Sequence, residues 1–359
     1  MPRAAQRFAI LALAGWLLAL LQLDAPAGVV GRNRFHPVHQ APARPAQRPF
    51  RARLETRTRT NLRAIGVYHG AQASPGTGGW GTAFLVAREP DGTGLILTNE
   101  HVLRGLGPGA VTFEHETGRP TRAQVTRVVA RSRSLDYALL RVELPPGADI
   151  PALHLAARRA PDRVYSAGFD HLRALLTNPR LATFDWTDDE RAELEALPDS
   201  PVQSIQTGRV LFGGETRAAG AMRDPGGRAV RARRTGAAQR ALTSLGGIGG
   251  GSGRPLLDTA DHRVVAIHSS AGILSRRSSE IDLSTRNGAA SAGAAQVVLV
   301  RHIVADLARR LDQRVVSPRD RASVARLLAG AADADATPPA PSRARRPARR
   351  AAAAAAAAR

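Results

Sequence analysis

Between residues 61 and 300 the apolar residues come in short runs separated by turns that contain Gly or Pro. Ala64–Tyr68, Trp80–Val86, Gly94–Thr98, Ala138–Leu144, Val164–Gly168, Ser204–Phe212 and Arg263–Ser269 are such runs. Runs of this length, punctuated in this way, form short strands, so the pattern predicts an all-β sandwich or barrel. One stretch differs. In Val300–Leu311 the apolar positions Ile303, Val304, Leu307 and Leu311 recur at the 3–4 residue spacing of an amphipathic helix. Two further segments break the β pattern. Thr187–Leu197 is acidic and helix-like, and Gly213–Arg240 is Gly/Ala/Arg-rich and reads as a long surface loop. There is no convincing internal repeat.

The ends of the chain have a different character. Arg3 and Arg7 precede an apolar run from Phe8 to Leu23, followed by Ala25-Pro-Ala27. A basic start, an apolar middle shorter than a membrane span and small residues at the end form a signal-peptide pattern over residues 1–27. An uncleaved membrane anchor is the alternative, and either reading sends the chain out of the cytoplasm, to the periplasm or beyond. Residues 28–60 are Pro/Arg-rich and read as a linker or propeptide, with the folded part beginning near Asn61. Residues 316–359 read as a helical, low-complexity tail whose end, Pro338–Arg359, is expected to be disordered.

The 359 residues include no cysteine, which excludes disulfides and thiolate metal sites. The formal charge is +21, and every strong base is arginine. A GC-rich coding sequence accounts for this composition. The functional alternative is adhesion to an anionic surface through the tail and the 213–240 segment. Aromatics are only 4%, too few to interleave with the charge and stack bases, so specific nucleic-acid binding is not expected. His36-Pro-Val-His39 lacks further ligands, and no metal site or cofactor is expected.

Three segments carry chemistry: Leu97-Thr-Asn-Glu-His101-Val, Ser134-Leu-Asp136-Tyr-Ala-Leu-Leu and Gly249-Gly-Gly-Ser252-Gly-Arg-Pro. A serine hydroxyl attacks a carbonyl only when a base takes its proton, and imidazole suits that role. A carboxylate that accepts Nδ1–H fixes the imidazole tautomer. The glycines beside Ser252 allow the N–H groups of Gly250 and Ser252 to converge on a developing oxyanion, and Gly253 leaves Ser252 accessible. An α/β-hydrolase arrangement of Ser252, Asp282 and His302 fails, because Arg254 occupies the last glycine of the elbow pattern.

These segments, with Gly81-Thr-Ala-Phe-Leu-Val and Val264-Val-Ala-Ile-His-Ser, resemble the trypsin-like serine proteases over about residues 62–312. The texture is that of the bacterial glutamyl-endopeptidase and high-temperature-requirement branches. The resemblance implies two packed antiparallel β-barrels, roughly 61–155 and 156–300 within a domain spanning 61–315, with a C-terminal helix. It implies a triad of His101, Asp136 and Ser252, an oxyanion hole at Gly250 and Ser252, and protein or peptide substrates. It also implies a substrate-binding strand through His268, Ser269, Ser270 and Ala271, with His268 facing an acidic side chain. Two residues depart from the family pattern. Gly251 stands where Asp or Asn is usual, which predicts a loose oxyanion loop that no freed N-terminal amine can latch. Arg254 replaces a small residue and is expected to crowd the primed side or favour acidic substrates. The second functional reading is an inactive homologue that binds anionic polymers.

Overall fold

The computed structural model describes residues 36–39, 56–71, 80–113, 120–161, 163–171, 201–213, 222–223, 229–232, 240–243, 245, 250–274, 280–282 and 294–336. The expected signal segment, the acidic Thr187–Leu197 stretch and the Pro338–Arg359 tail lie outside these residues.

The sequence reading left residues 28–60 without packed elements, but strand β1 (His36–His39) and helix α1 (Thr56–Leu62) fall there. Barrel 1 follows from β2 (Ile65–Gly70), β3 (Trp80–Arg88), β4 (Thr93–Thr98), helix α2 (Glu100–Leu106), β5 (Gly109–Phe113), β6 (Thr121–Ser132) and β7 (Tyr137–Glu143). Its strands close in the order β2-β3-β4-β7-β6-β5. The second half contains β8 (Arg163–His171), β9 (Pro201–Gly213), β10 (Met222–Arg223), β11 (Ala229–Ala232) and β12 (Arg240–Thr243). It continues with β13 (Pro255–Asp258), β14 (Val264–Leu274), β15 (Glu280–Asp282) and β16 (Ala294–Leu299). Pairings β14-β13-β8-β9-β12-β16, with β16 returning to β14, form a second six-membered ring of antiparallel strands. Strand β1 adds to β9, with His36 opposite Ile205. The region read as a surface loop holds β10 and β11, and β11 pairs in parallel with β15. Helices α3 (Val300–Asp312) and α4 (Pro318–Ala336) end the described chain, the first at the amphipathic stretch and the second within the segment read as a helical, low-complexity tail.

The barrels share a core. Strand β7 is buried on both faces because two clusters claim its alternate residues. Ala138, Leu140 and Val142 fill barrel 1 with Leu85, Ile96, Val111 and Phe113. Tyr137 and Leu139 turn the other way, into a cluster that runs through Phe84, Phe169 and Ile267 to Val300, Ile303 and Val324 of the terminal helices. Barrel 2 has its own filling, including Val164, Leu256, Val265 and Val297. Burial of this kind stabilises by about 25 cal/mol per Å² of apolar surface removed from water.

The terminal helices are also held by ions. Asp320, fully buried at the start of α4, receives Arg127 Nη2 and Arg141 Nε at 2.7 Å and Arg127 Nε at 2.9 Å. Arg141, itself buried, completes its bonds with Thr93 Oγ1 and Ser323 Oγ. Burial pushes the Asp320 carboxyl up, but the two guanidinium groups outweigh it and hold it below the ordinary carboxylate range. On α3, Asp306 receives the Tyr137 hydroxyl at 2.6 Å and the side chains of Arg309 and Arg310.

Candidate active site

Register brings the first two site residues together. Thr98 at the end of β4 lies opposite Ala138 near the start of β7, so the turns carrying His101 and Asp136 leave barrel 1 side by side. Asn99 ties them, donating from Nδ2 to the Asp136 carbonyl at 2.8 Å. His101 is the second residue of α2, and its amide donates to Asp136 Oδ1 at 3.0 Å. Its ring Nδ1 lies 3.0 Å from Oδ1 and 2.9 Å from Oδ2 of the same carboxylate. Asp136 has φ of +53°, a left-handed conformation that Asp tolerates better than most residues and that is common where a site constrains the backbone.

A third group completes this carboxylate's shell. Strands β14 and β16 shift register between His268 and Ser270, and this bulge leaves Ser269 out of the pairing. Bulges re-aim side chains in this way. The Ser269 hydroxyl donates to Asp136 Oδ2 at 2.5 Å. Burial pushes the Asp136 carboxyl up, but the His101 ring, the Ser269 hydroxyl and the His101 amide outweigh burial and hold it below the usual range. It therefore remains an anion facing an imidazole that is about one-third exposed. Sequence reasoning placed Ser269 on the substrate strand and missed its bond to Asp136, which only the bulge reveals.

Ser252 sits on the turn before β13 and is partly exposed. The turn is built against barrel 1. The Thr82 amide donates to the Ser252 carbonyl at 2.8 Å, and the Thr82 hydroxyl donates to the Gly250 carbonyl at 3.0 Å. The Gly253 amide donates to the His268 carbonyl at 3.0 Å and the Arg254 amide to the Gly251 carbonyl at 3.2 Å. Gly250 and Gly253 both have positive φ, +86° and +87°. At Gly253 a Cβ would come within 2.1 Å of the Thr82 carbonyl oxygen and 2.6 Å of Thr98 Oγ1. That close approach to β3 and β4, the strand that leads into His101, is the reason for glycine there. Among the described residues the amides of Gly250 and Ser252 donate to no protein acceptor, and no hydrogen bond joins Ser252 Oγ to the His101 ring. Apo sites commonly leave that bond long until substrate arrives.

Two expectations about this turn need correction. Gly251 does not leave it loose, since the bonds above fix it on both sides. Arg254 does not point toward substrate. Its side chain is 1% exposed and its Nη2 donates to Asp170 Oδ1 at 2.5 Å, inside the protein. His268 is also buried. Desolvation, then the neighbouring Arg254, pushes its imidazole down to about 3, and among the described residues neither ring nitrogen has a partner. It is therefore neutral at any ordinary pH, with both nitrogens available to a group that enters beside them. Ser270 and Ala271 continue β14, opposite Gln296 and Ala295 of β16. Sequence reasoning also missed Trp80, whose ring stacks on His171 with centroids 3.9 Å apart and whose Nε1 lies against Gly250. A crevice of about 630 Å³ between α4 and barrel 1, lined by Glu89, Asp91, Arg127, Arg319 and Arg326 among others, includes none of the site residues.

Two six-stranded rings of antiparallel strands, with a His–Asp couple on one and a glycine-bracketed serine on the other, give the architecture of the chymotrypsin-fold peptidases. The trypsin-like peptidase domain matches residues 81–267, just over half of the chain. The chain belongs to this family. A comparison with curated protein sequences returns no match. Among solved structures, an HtrA-type protease, AlgW, with a bound tripeptide is 16% identical with a TM-score of 0.40, over 70% of this chain and 61% of that one. A serine endoprotease from Yersinia pestis is 17% identical with a TM-score of 0.40, over 72% and 66%. Deg5 is 16% identical with a TM-score of 0.38, over 70% and 94%. The chain thus spans under two thirds of the length of the first two. No described helix is long and apolar enough to cross a membrane.

Proposed function

We propose that the protein is an exported serine endopeptidase in which His101, Asp136 and Ser252 form the catalytic triad. The observation that carries this reading is the His101 Nδ1–Asp136 pair at 2.9 Å, with the carboxylate held ionised by Ser269 and the His101 amide. Nδ1 donates to Asp136, which leaves Nε2 free to take the Ser252 proton as Oγ attacks the scissile carbonyl. The free amides of Gly250 and Ser252 receive the oxyanion, His101 returns the proton to the leaving amine, and water releases the acyl group. Strand β14, from Ser269 through Ala271, pairs with extended substrate. His268, neutral and with ring nitrogens that find no partner among the described residues, faces the residue before the scissile bond and favours a side chain that brings its own oxygen acceptors or donors, including Glu. Export rests on the signal pattern of residues 1–27, and the Arg-rich tail and 213–240 segment support contact with an anionic surface.

The missing Ser252–His101 bond favours a second reading, an inactive homologue that binds anionic polymers. Labelling of the purified protein with a fluorophosphonate probe separates them. The endopeptidase reading expects labelling that Ser252→Ala and His101→Ala each abolish. A well-folded protein that does not label excludes it.

A further inference from the structure

The turn that presents Ser252 is bracketed by a buried ion pair. Arg254 and Asp170 are 1% and 0% exposed, and Asp170 also accepts the Ser204 hydroxyl. Stability does not explain the pair. Buried ion pairs are often no better than apolar residues of the same volume, and here Arg254 Nε and Nη1 have no hydrogen-bond partner among the described residues. Its placement is more informative. At one end, the Arg254 amide donates to the Gly251 carbonyl, and its own carbonyl accepts the His268 amide at 2.9 Å. At the other end, Asp170 follows Phe169, whose amide donates at 3.0 Å to the Thr82 hydroxyl. That hydroxyl in turn donates to the Gly250 carbonyl. A closed ring of contacts therefore runs Gly250, Thr82, Phe169, Asp170, Arg254, Gly251, and the ion pair is its only ionic link. The ring closes around a residue, Gly251, with no side chain of its own to anchor the turn. Arg254 also lies against Gly168, where a Cβ would come within 2.6 Å of the Arg254 Cβ, so the side chain has one path into the barrel.

We propose that the Arg254–Asp170 ion pair is a positioning device that holds the 250–253 turn so that the amides of Gly250 and Ser252 face a common point. The inference rests on the assignment of Ser252 as nucleophile. Arg254 touches no substrate; it acts through the main chain of Gly251 and Gly253.

The test is the double substitution Arg254→Met with Asp170→Asn in the full chain, which removes both charges and so leaves neither buried alone. Three quantities are read: the melting temperature, the second-order rate of fluorophosphonate labelling, and hydrogen exchange of the Gly253 and Arg254 amides. The expected result is a folded protein that labels about 100-fold more slowly, the size of a lost oxyanion donor. Exchange at both amides should quicken by about 10-fold or more, because their bonds open locally. A folded variant with unchanged exchange overturns the proposal, whatever its labelling rate. Quickened exchange with wild-type labelling overturns the positioning role. If the wild-type protein does not label at all, the endopeptidase reading fails, and exchange alone decides whether the pair orders the turn. Should the double variant not fold, Arg254→Lys keeps the charge and loses the planar fork. An intermediate slowing and intermediate exchange are then expected, and wild-type values for both overturn the proposal.

Discussion

Replacing Asp136 by Asn tests the site most directly, because it changes one atom of a carboxylate whose partners are all identified. Oδ1 accepts the His101 amide, Oδ2 accepts Ser269, and the His101 ring bridges both at 2.9 and 3.0 Å. A carboxamide keeps one acceptor oxygen. With that oxygen on the amide side, its NH₂ group faces Ser269 and Nδ1. The serine hydroxyl can rotate to accept, but Nδ1 can accept only as the tautomer that carries its proton on Nε2. That tautomer cannot take a proton from Ser252. Loss of the right tautomer in a triad lowers kcat by about 10⁴, which corresponds to about 5.4 kcal/mol of lost transition-state stabilisation at 1.36 kcal/mol per decade. The assay is kcat/KM on a peptide substrate selected by library profiling, with circular dichroism to confirm folding. Shape and volume are conserved, so the melting temperature should move far less than the rate. A folded variant that retains more than about one tenth of wild-type turnover refutes the tautomer argument and removes Asp136 from the triad.

The ionic clamp on α4 yields a stability prediction. Asp320→Asn leaves the buried Arg141 guanidinium without its counter-ion, and breaking one side of a buried pair costs about 3–5 kcal/mol; urea unfolding that shows under about 1 kcal/mol would mean that Asp320 is not the anchor of this helix. The pH dependence of stability follows from the same groups. Asp136, Asp306 and Asp320 all titrate below the ordinary carboxylate range in the folded protein. Their contribution is therefore fully present above the unfolded value of about 3.9 and is lost as pH falls through the folded values. Urea unfolding from pH 7 to 3 should show stability falling below about pH 4, less steeply in Asp320→Asn, and a flat curve in that range contradicts the linkage.

Much of this was legible in the chain. The seven apolar runs each became a strand, because Gly and Pro turns close at hand leave little freedom in where strands end. The strands that escaped have weaker patterns. Strand β6 is interrupted by three arginines, one of which serves Asp320, and β13 is only four residues long and wholly buried. Helix α4 has a readable start, Ser317 followed by Pro318 with Asp320 in the first turn, and the sequence reads as helical there, but nothing in it sets the helix apart as a packed element from the low-complexity tail that follows. His101 and Asp136 are legible as neighbours because their flanking residues are strand ends whose register is local and strongly specified. The bond of Ser269 to Asp136 and the buried ion pair of Arg254 are not legible, for the opposite reason. Their partners lie 133 and 84 residues away in sequence, and neither a bulge nor a buried ion pair leaves a periodic trace.

The reach of the α4 clamp has a consequence for how the chain matures. Arg141 and Arg127 belong to barrel 1, yet the carboxylate that neutralises them is 179 and 193 residues downstream. A nascent chain emerging from its N-terminus presents the whole first barrel long before Asp320 arrives. Until then both guanidinium groups have Asp91, on the turn before β4, as their nearby anion, and the full ionic bracing of barrel 1 is completed only when α4 docks. Synthesis order thus puts the bracing of barrel 1 after every strand of barrel 2.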